Sequence, residues 1–520
     1  MITERSALGE GLRLLAHFIA LTAAFVGLVR VYILATDTTW FLYNSDIVHP
    51  FLLVSDVFRD PNAIYTWVHA PSFQLVPDLI LAALLSLSGL SPFWQPVFYS
   101  ALMAAMLCLS VGAVLRAVGV SSAAKGAWAY ALAMVLFGAV IVVFDALALS
   151  SKLLISTVAI FTHSGALVLT IAALAAFMAL LADRRNPWIL AGMLFLAVAG
   201  TFSDVSFAAW FVAPAFIVAL LYGFGRRAML LLALAALIGV AGIGAYLGES
   251  AINMSRSDYL AWRSLSDTWE LAKLHAPTIL PLFDGVILAV FALTALLTFR
   301  CIWIVVRLPK SGKLSRLQAF ELFLGGSATA GWLAPLVIGQ VTHPNSVRYF
   351  QPILACPLIW LLLLAMMRSR FVGNLKWPVL AAPVALAAVM ALLSTFNAPA
   401  PSIKKHADLI KCLNKEGRTA GLAGYWNGMS IMYLSGRKIH TVSIHPNGTA
   451  FKWNINQDWL TGRADNGTAP RFDFVIPEDL TPDVLEQSVG TPQRIVDCEG
   501  QPIWLYDEPL EVSMGAGLKR

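Results

Sequence analysis

Charge is what this sequence has least of. Asp, Glu, Lys and Arg make up 13% of its 520 residues, against 58% hydrophobic. A soluble domain carries about a quarter charged residues, so a water-soluble globular protein is excluded. No Gly-rich nucleotide fingerprint occurs. No His, Cys and Asp set has zinc spacing. No metal site is therefore read from the sequence. Internal repeats and low-complexity tracts are also missing, which removes solenoids and the repeat pattern of many secondary transporters. The net charge of +6 is no nucleic-acid signal, because the basic residues sit in short loops between apolar segments and report topology.

What is abundant is apolar sequence in runs of spanning length. They lie near 12–34, 97–115, 126–148, 165–182, 188–202, 206–222, 228–248, 281–305, 318–340, 350–367 and 378–396, each near the roughly 20 residues a membrane helix needs. The first is too long for a signal-peptide core and has no small-residue cleavage site after it, so it reads as a retained span. A further run, Leu75 to Leu90, is short and opens on Pro77 and Asp78.

Loop charge decides whether that run crosses. If it does not, and the N-terminus is cytoplasmic, the inside loops hold Arg116 and Lys125; Arg184 and Arg185; Arg226 and Arg227; Arg307, Lys310, Lys313 and Arg316; and Arg368, Arg370 and Lys376. Most acids, including Asp37, Asp46, Asp56, Asp60, Asp78, Asp204 and Glu249, then face out. Crossing would reverse every later loop against the positive-inside rule. The expectation is a polytopic α-helical membrane protein of about 11 spans over residues 1–396, with Leu75–Leu90 interfacial or re-entrant in the first outside loop. Residues 397–520 change to ordinary soluble composition, with helix-like stretches at 402–415, 426–434 and 481–488 between short strand-like runs. They read as a small extracytoplasmic α/β domain. Of the five cysteines, Cys412 and Cys498 fall in this segment and are expected to pair in an oxidising compartment.

The polar island from Asp37 to Asp78 is the place for chemistry. Asp46 follows the first span closely in NSDIVHP, and its functional reading is set ahead of a local turn or cap. Pro50 fits the first turn of a helix that puts Asp56 and Asp60 on one face; Asp60 is read as solvated. His49 and His69 flank that helix. Asp204, in TFSDVSF, is weighed equally as a turn acid and as a cavity-facing acid. Lys152, His163, Arg263, His343, Arg348 and Tyr349 fall on the same outside face. The cations among them suit a phosphate through charge-assisted hydrogen bonds, whereas Arg256 and Lys273 read as rim ion pairs.

An acid just after the first span, a long first outside loop with interfacial helices, many spans and a soluble outside tail together resemble the GT-C superfamily of membrane glycosyltransferases. The run RYFQP at Arg348 to Pro352 is similar to the Arg-Tyr-x-x-Pro run of several members. Many members carry two adjacent acids in the first loop, whereas Asp46 stands between Ser45 and Ile47. The resemblance implies an inverting enzyme of a bacterial-type inner membrane. It would move a sugar from a polyprenyl-phosphate carrier to an envelope glycan or lipid, with Asp46 as general base. Arg348, with Lys152, His163 or Arg263, would hold the lipid phosphate. Asp56, His49, Asp204, His343 and Tyr349 would line the substrate site. Two rivals are a lipid-linked glycan flippase and a non-catalytic envelope-assembly protein.

Overall fold

The computed structural model describes residues 2–36, 39–69, 74–144, 149–159, 162–182, 186–222 except 205, 284–311, 314–337, 344–369, 374–395, 401–461 and 470–512 except 479, with a few positions between 267 and 277. Arg256, Arg263, His343 and the apolar run 228–248 lie outside the described residues.

The molecule is a polytopic helical membrane protein. Among the described residues, seven helices are long and apolar enough to cross a membrane: Gly9–Ala35, Trp94–Val118, Ala123–Val143, Ser164–Ala182, Gly285–Leu308, Arg316–Val337 and Ser346–Arg368. Shorter apolar helices are Leu75–Leu87, Pro187–Ser203, Ala208–Leu221 and Trp377–Leu393. Their ends follow from local chemistry. The Ser122 hydroxyl caps Ala123–Val143 by accepting from the Lys125 amide at 3.3 Å. Asn186 caps Pro187–Ser203, with Pro187 in its first turn. Trp94–Val118 ends on Gly119, at φ 86. Outward faces keep large apolar side chains such as Leu296, Phe299 and Val306 exposed, as lipid contact requires. Trp94–Val118 lies at the centre of one group, against Gly9–Ala35, Ala123–Val143 and Ser164–Ala182. The last three spanning helices form a second group.

Between the first two spans lie α1 (Ser45–Arg59) and α2 (Ile80–Leu87). The Asn44 side chain caps α1 by accepting from the Ile47 amide at 3.3 Å. The helix thus starts before Asp46, and Pro50 stands inside it rather than in its first turn. A good N-cap at Asn44 outweighs a proline whose fixed φ is itself helical.

After residue 400 the chain builds a five-stranded sheet. Naming first β1 (Trp67–Val68), then β2 (Ala420–Ala423), β3 (His440–Ser443), β4 (Ile455–Asn456), β5 (Phe472–Ile476), β6 (Arg494–Cys498) and β7 (Gln501–Leu510), the sheet order is β3-β2-β5-β7-β6. The first three strands in that order are parallel, and β7 is antiparallel to both its neighbours. The helix Pro401–Lys415 covers part of it through Leu409 and Leu413, and Cys412 is disulfide-bonded to Cys498. This segment is also joined to the loop between the first two spans. β1 pairs with β4, Trp67 opposite Asn456. A third helix, α3 (Tyr425–Leu434), packs along α1. Ser45 meets Tyr425, Phe51 stacks on Tyr433 and Asp56 meets Arg437, so the two helices run in the same sense.

Candidate functional site

Asp46 sits in the first turn of α1 and is 5% exposed. The Arg348 Nη1 donates to its Oδ2 at 2.8 Å, across 302 residues of chain. Tyr425 donates its hydroxyl to Oδ1. The carboxylate is thus held between a guanidinium from the start of a late span and a phenol from the sheet segment. The 3-10 turn Pro344–Phe350 brings Arg348 in, and Gln351 follows at the head of Gln351–Arg368.

The polar chain continues past Arg348. Its Nη2 lies 3.5 Å from the Tyr349 hydroxyl, and the guanidinium stands 5.3 Å from that ring. The Tyr349 and His163 rings are 4.8 Å apart. Nδ1 of His163 bonds to the Asp204 carboxylate, which also takes the Ser206 amide at 2.9 Å. His163 stands at φ 70, a backbone region that a side chain rarely adopts. Its neighbours hold it there: the Thr162 and Ser164 hydroxyls both donate to the Ala159 carbonyl. Burial pushes the Asp204 carboxyl up. The His163 imidazole and the bonds from His163 and Ser206 outweigh it and hold the group below the usual aspartate value. Burial and the Asp46 charge push the Tyr425 phenol well above the usual tyrosine value, so it stays a hydrogen-bond donor.

Two buried polar atoms here have nothing to bond among the described residues: the Arg348 Nε–H and the Gln351 Oε1. Gln351 is fully buried, and its amide donates to the Ser156 and Thr162 carbonyls. A buried donor and a buried acceptor left over are groups that a ligand with a phosphate oxygen and a hydroxyl would satisfy.

Most of the other residues singled out from sequence are engaged elsewhere, whereas Lys152 lies on Leu149–Ser156, which packs against the turn that carries Arg348. Asp56 is neither a solvated acid nor open to a ligand. Its Oδ2 accepts from Trp67, Asn456 and Trp459 at 3.0, 2.8 and 3.0 Å, and its Oδ1 pairs with Arg437 at 2.7 Å. His49 is buried edge-on to Trp67, with its ring centre 4.9 Å away. Lys152 is half-buried on the short helix Leu149–Ser156, where burial lowers its ammonium below the usual lysine value. Asp60 is exposed and caps the C-terminus of α1; Lys273 is exposed and pairs with Glu270. Asp78 is buried and accepts from the Tyr99 hydroxyl at 2.8 Å.

Tyr425 and Gln351 are the members that sequence reasoning missed. Gln351 lies inside the quoted RYFQP run. Tyr425 follows β2 at the point where a parallel strand hands over to a helix, the place where α/β sheets gather their ligands. Among the described residues, no group of three or more His, Cys, Asp or Glu is arranged to hold a metal ion. No protein-family model matches this chain, and no curated protein matches it.

Proposed function

We propose that this chain is an inverting glycosyltransferase that uses a polyprenyl-phosphate-linked sugar at the outer face of a bacterial-type inner membrane. In this reading the N-terminus is cytoplasmic, and the cluster around Asp46 and the sheet segment lie outside. The observation that carries it is the meeting of Asp46 with Arg348 at 2.8 Å, with the buried Nε–H of that arginine unspent. An aspartate and a guanidinium in buried contact provide a base and a phosphate ligand side by side.

The chemistry follows from the pair. The donor phosphate draws Arg348 toward itself, which uncovers Oδ2 of Asp46. The carboxylate takes the proton of an acceptor hydroxyl. The acceptor oxygen bonds to the anomeric carbon while the bond from that carbon to the phosphate oxygen breaks, and polyprenyl phosphate leaves. Arg348 stabilises the charge growing on the leaving oxygen. His163, oriented through Nδ1 by Asp204, offers its other ring nitrogen to the same phosphate. The acceptor is an envelope glycan or lipid, and no soluble cofactor takes part.

A second reading has an observation of its own. Both Asp46 oxygens are engaged by the chain itself, which favours a non-catalytic envelope-assembly protein. Transfer from polyprenyl-phospho-sugars by the purified protein and by Asp46→Asn separates the two. Loss of a general base lowers kcat by roughly 10²–10⁴-fold. Equal transfer by both proteins removes Asp46 as the base, and no transfer from any donor favours the assembly role.

A further inference from the structure

Tyr425 belongs to the segment after residue 400, not to the membrane helices. Even so, it is the direct partner of Asp46 on the oxygen that Arg348 leaves open. Two further contacts fix it there. Ser45, the residue before Asp46, donates its hydroxyl to the Tyr425 carbonyl. The Tyr425 ring also lies 4.6 Å from that of Phe451, tilted by 31°. Ser45 and Asp46 thus both grip one tyrosine, through its carbonyl and its phenol. The start of α3 is pinned to the start of α1. Gly424, just before α3, has its backbone extended at ψ 160, which turns the chain from β2 into the helix at this point.

A carboxylate held by one donor can rotate about its last bond. One held on Oδ2 by Arg348 and on Oδ1 by Tyr425 cannot, and its plane is set before any substrate arrives. When the arginine swings to a phosphate, the phenol remains as the one tie on Oδ1 that limits this rotation. Correct placement of a reacting group is worth large rate factors, and small misplacements cost about 10²-fold.

We infer that Tyr425 is a positioning residue for Asp46, so the site is composite: the membrane part supplies the base, and the sheet segment supplies the group that aims it. This rests on Asp46 acting as the base. Tyr425 keeps Oδ1, so the acceptor hydroxyl meets Asp46 at Oδ2, the oxygen that Arg348 vacates when it turns to the donor phosphate.

The test uses the full-length protein in lipid nanodiscs. Tyr425→Phe keeps the ring against Phe451 and removes only the hydroxyl. The expected result is a kcat lowered about tenfold to a hundredfold, with KM for donor and acceptor unchanged. A merely structural tyrosine would lower the apparent Tm and leave kcat per folded molecule at the wild-type value; that result overturns the inference. A second measurement needs no activity. Tm values are compared for Tyr425→Phe, Asp46→Ala and the double variant. Coupling requires the double variant to lose clearly less than the sum of the single losses, and additive losses overturn the inference even if kcat falls. Coupled losses in a protein that transfers no sugar would keep Tyr425 as the partner of Asp46 and sink the glycosyltransferase reading instead.

Discussion

Asp56 shows how much a single side chain can join. Its carboxylate accepts from Trp67 near its own helix and from Asn456 and Trp459 some four hundred residues later, while pairing with Arg437. Removing one partner of a buried pair leaves the other charge unmatched, at about 3–5 kcal/mol. Asp56→Ala is therefore expected to lower the apparent Tm in detergent by well over the change at the exposed Asp60→Ala. Equal shifts would reject this role. His49 and His69, with ring centres 6.5 Å apart, make a second residue-scale prediction. Burial pushes the His69 imidazole down to about 4, against a smaller upward pull from its bond to the Ile64 carbonyl. Burial and His69 push His49 well below its usual value. Both are bases with folded values below the unfolded value of about 6.5. The unfolded chain then binds protons that the folded chain refuses. Stability is complete above about pH 6.5 and falls toward pH 4, by up to roughly 3 kcal/mol for His69 alone. A Tm that stays level from pH 7 to pH 4.5 would contradict this.

Among the elements, close approach decides the packing of the second and third spans. A Cβ added at Gly112 would lie 2.1 Å from the Ala123 carbonyl oxygen, and one at Gly126 would lie 2.9 Å from the Gly112 Cα. Small residues let membrane helices touch where no hydrophobic force drives them together. Gly112→Val is expected to separate Trp94–Val118 from Ala123–Val143 and cost about 1–3 kcal/mol. Gly192→Val, at a glycine with open space around it, serves as the comparison, and matched Tm losses would defeat the argument. The spanning helices were legible because twenty apolar residues in a row have few other uses. The start of α1 was legible only as an alternative, since Asn44 reads as a turn or cap while Pro50 suggests a later first turn. Asp46 and Arg348 were legible as candidates, one by its place after a span and one by its RYFQP neighbours. Their contact was not, since nothing local in either stretch encodes a partner 302 residues away. Asp56 reads as a substrate-site residue for the same reason: nothing local shows that its carboxylate is taken up by Asn456, Trp459 and Arg437 far along the chain. Tyr425 carries only one local mark, its place at the handover from a strand to a helix.

For the whole molecule, charge distribution makes the remaining prediction. The reading with the basic loops inside puts Ser122 in the cytoplasm and Gln487 outside; both are exposed residues. A cysteine at Ser122 is expected to react with a membrane-impermeant maleimide only after the cell is opened. One at Gln487 is expected to react in intact cells. Reversal of both would invert the orientation and put the Asp46 cluster on the cytoplasmic face. Labelling of both in intact cells would overturn the count of crossings between them.

The parallel pair of α1 and α3 also has a meaning in time. Asp46 and Asp56 leave the ribosome 379 and 400 residues ahead of Tyr425 and Asn456. At about 5–20 residues per second, that delay is roughly 20–80 s. Through that interval α1 carries two carboxylates whose burial depends on chain not yet made, so the early loop stays unfinished while the membrane helices after it insert. A ribosome stalled before Tyr425 would leave inserted helices with their acids uncovered, a state that a membrane protease could tell from the finished protein.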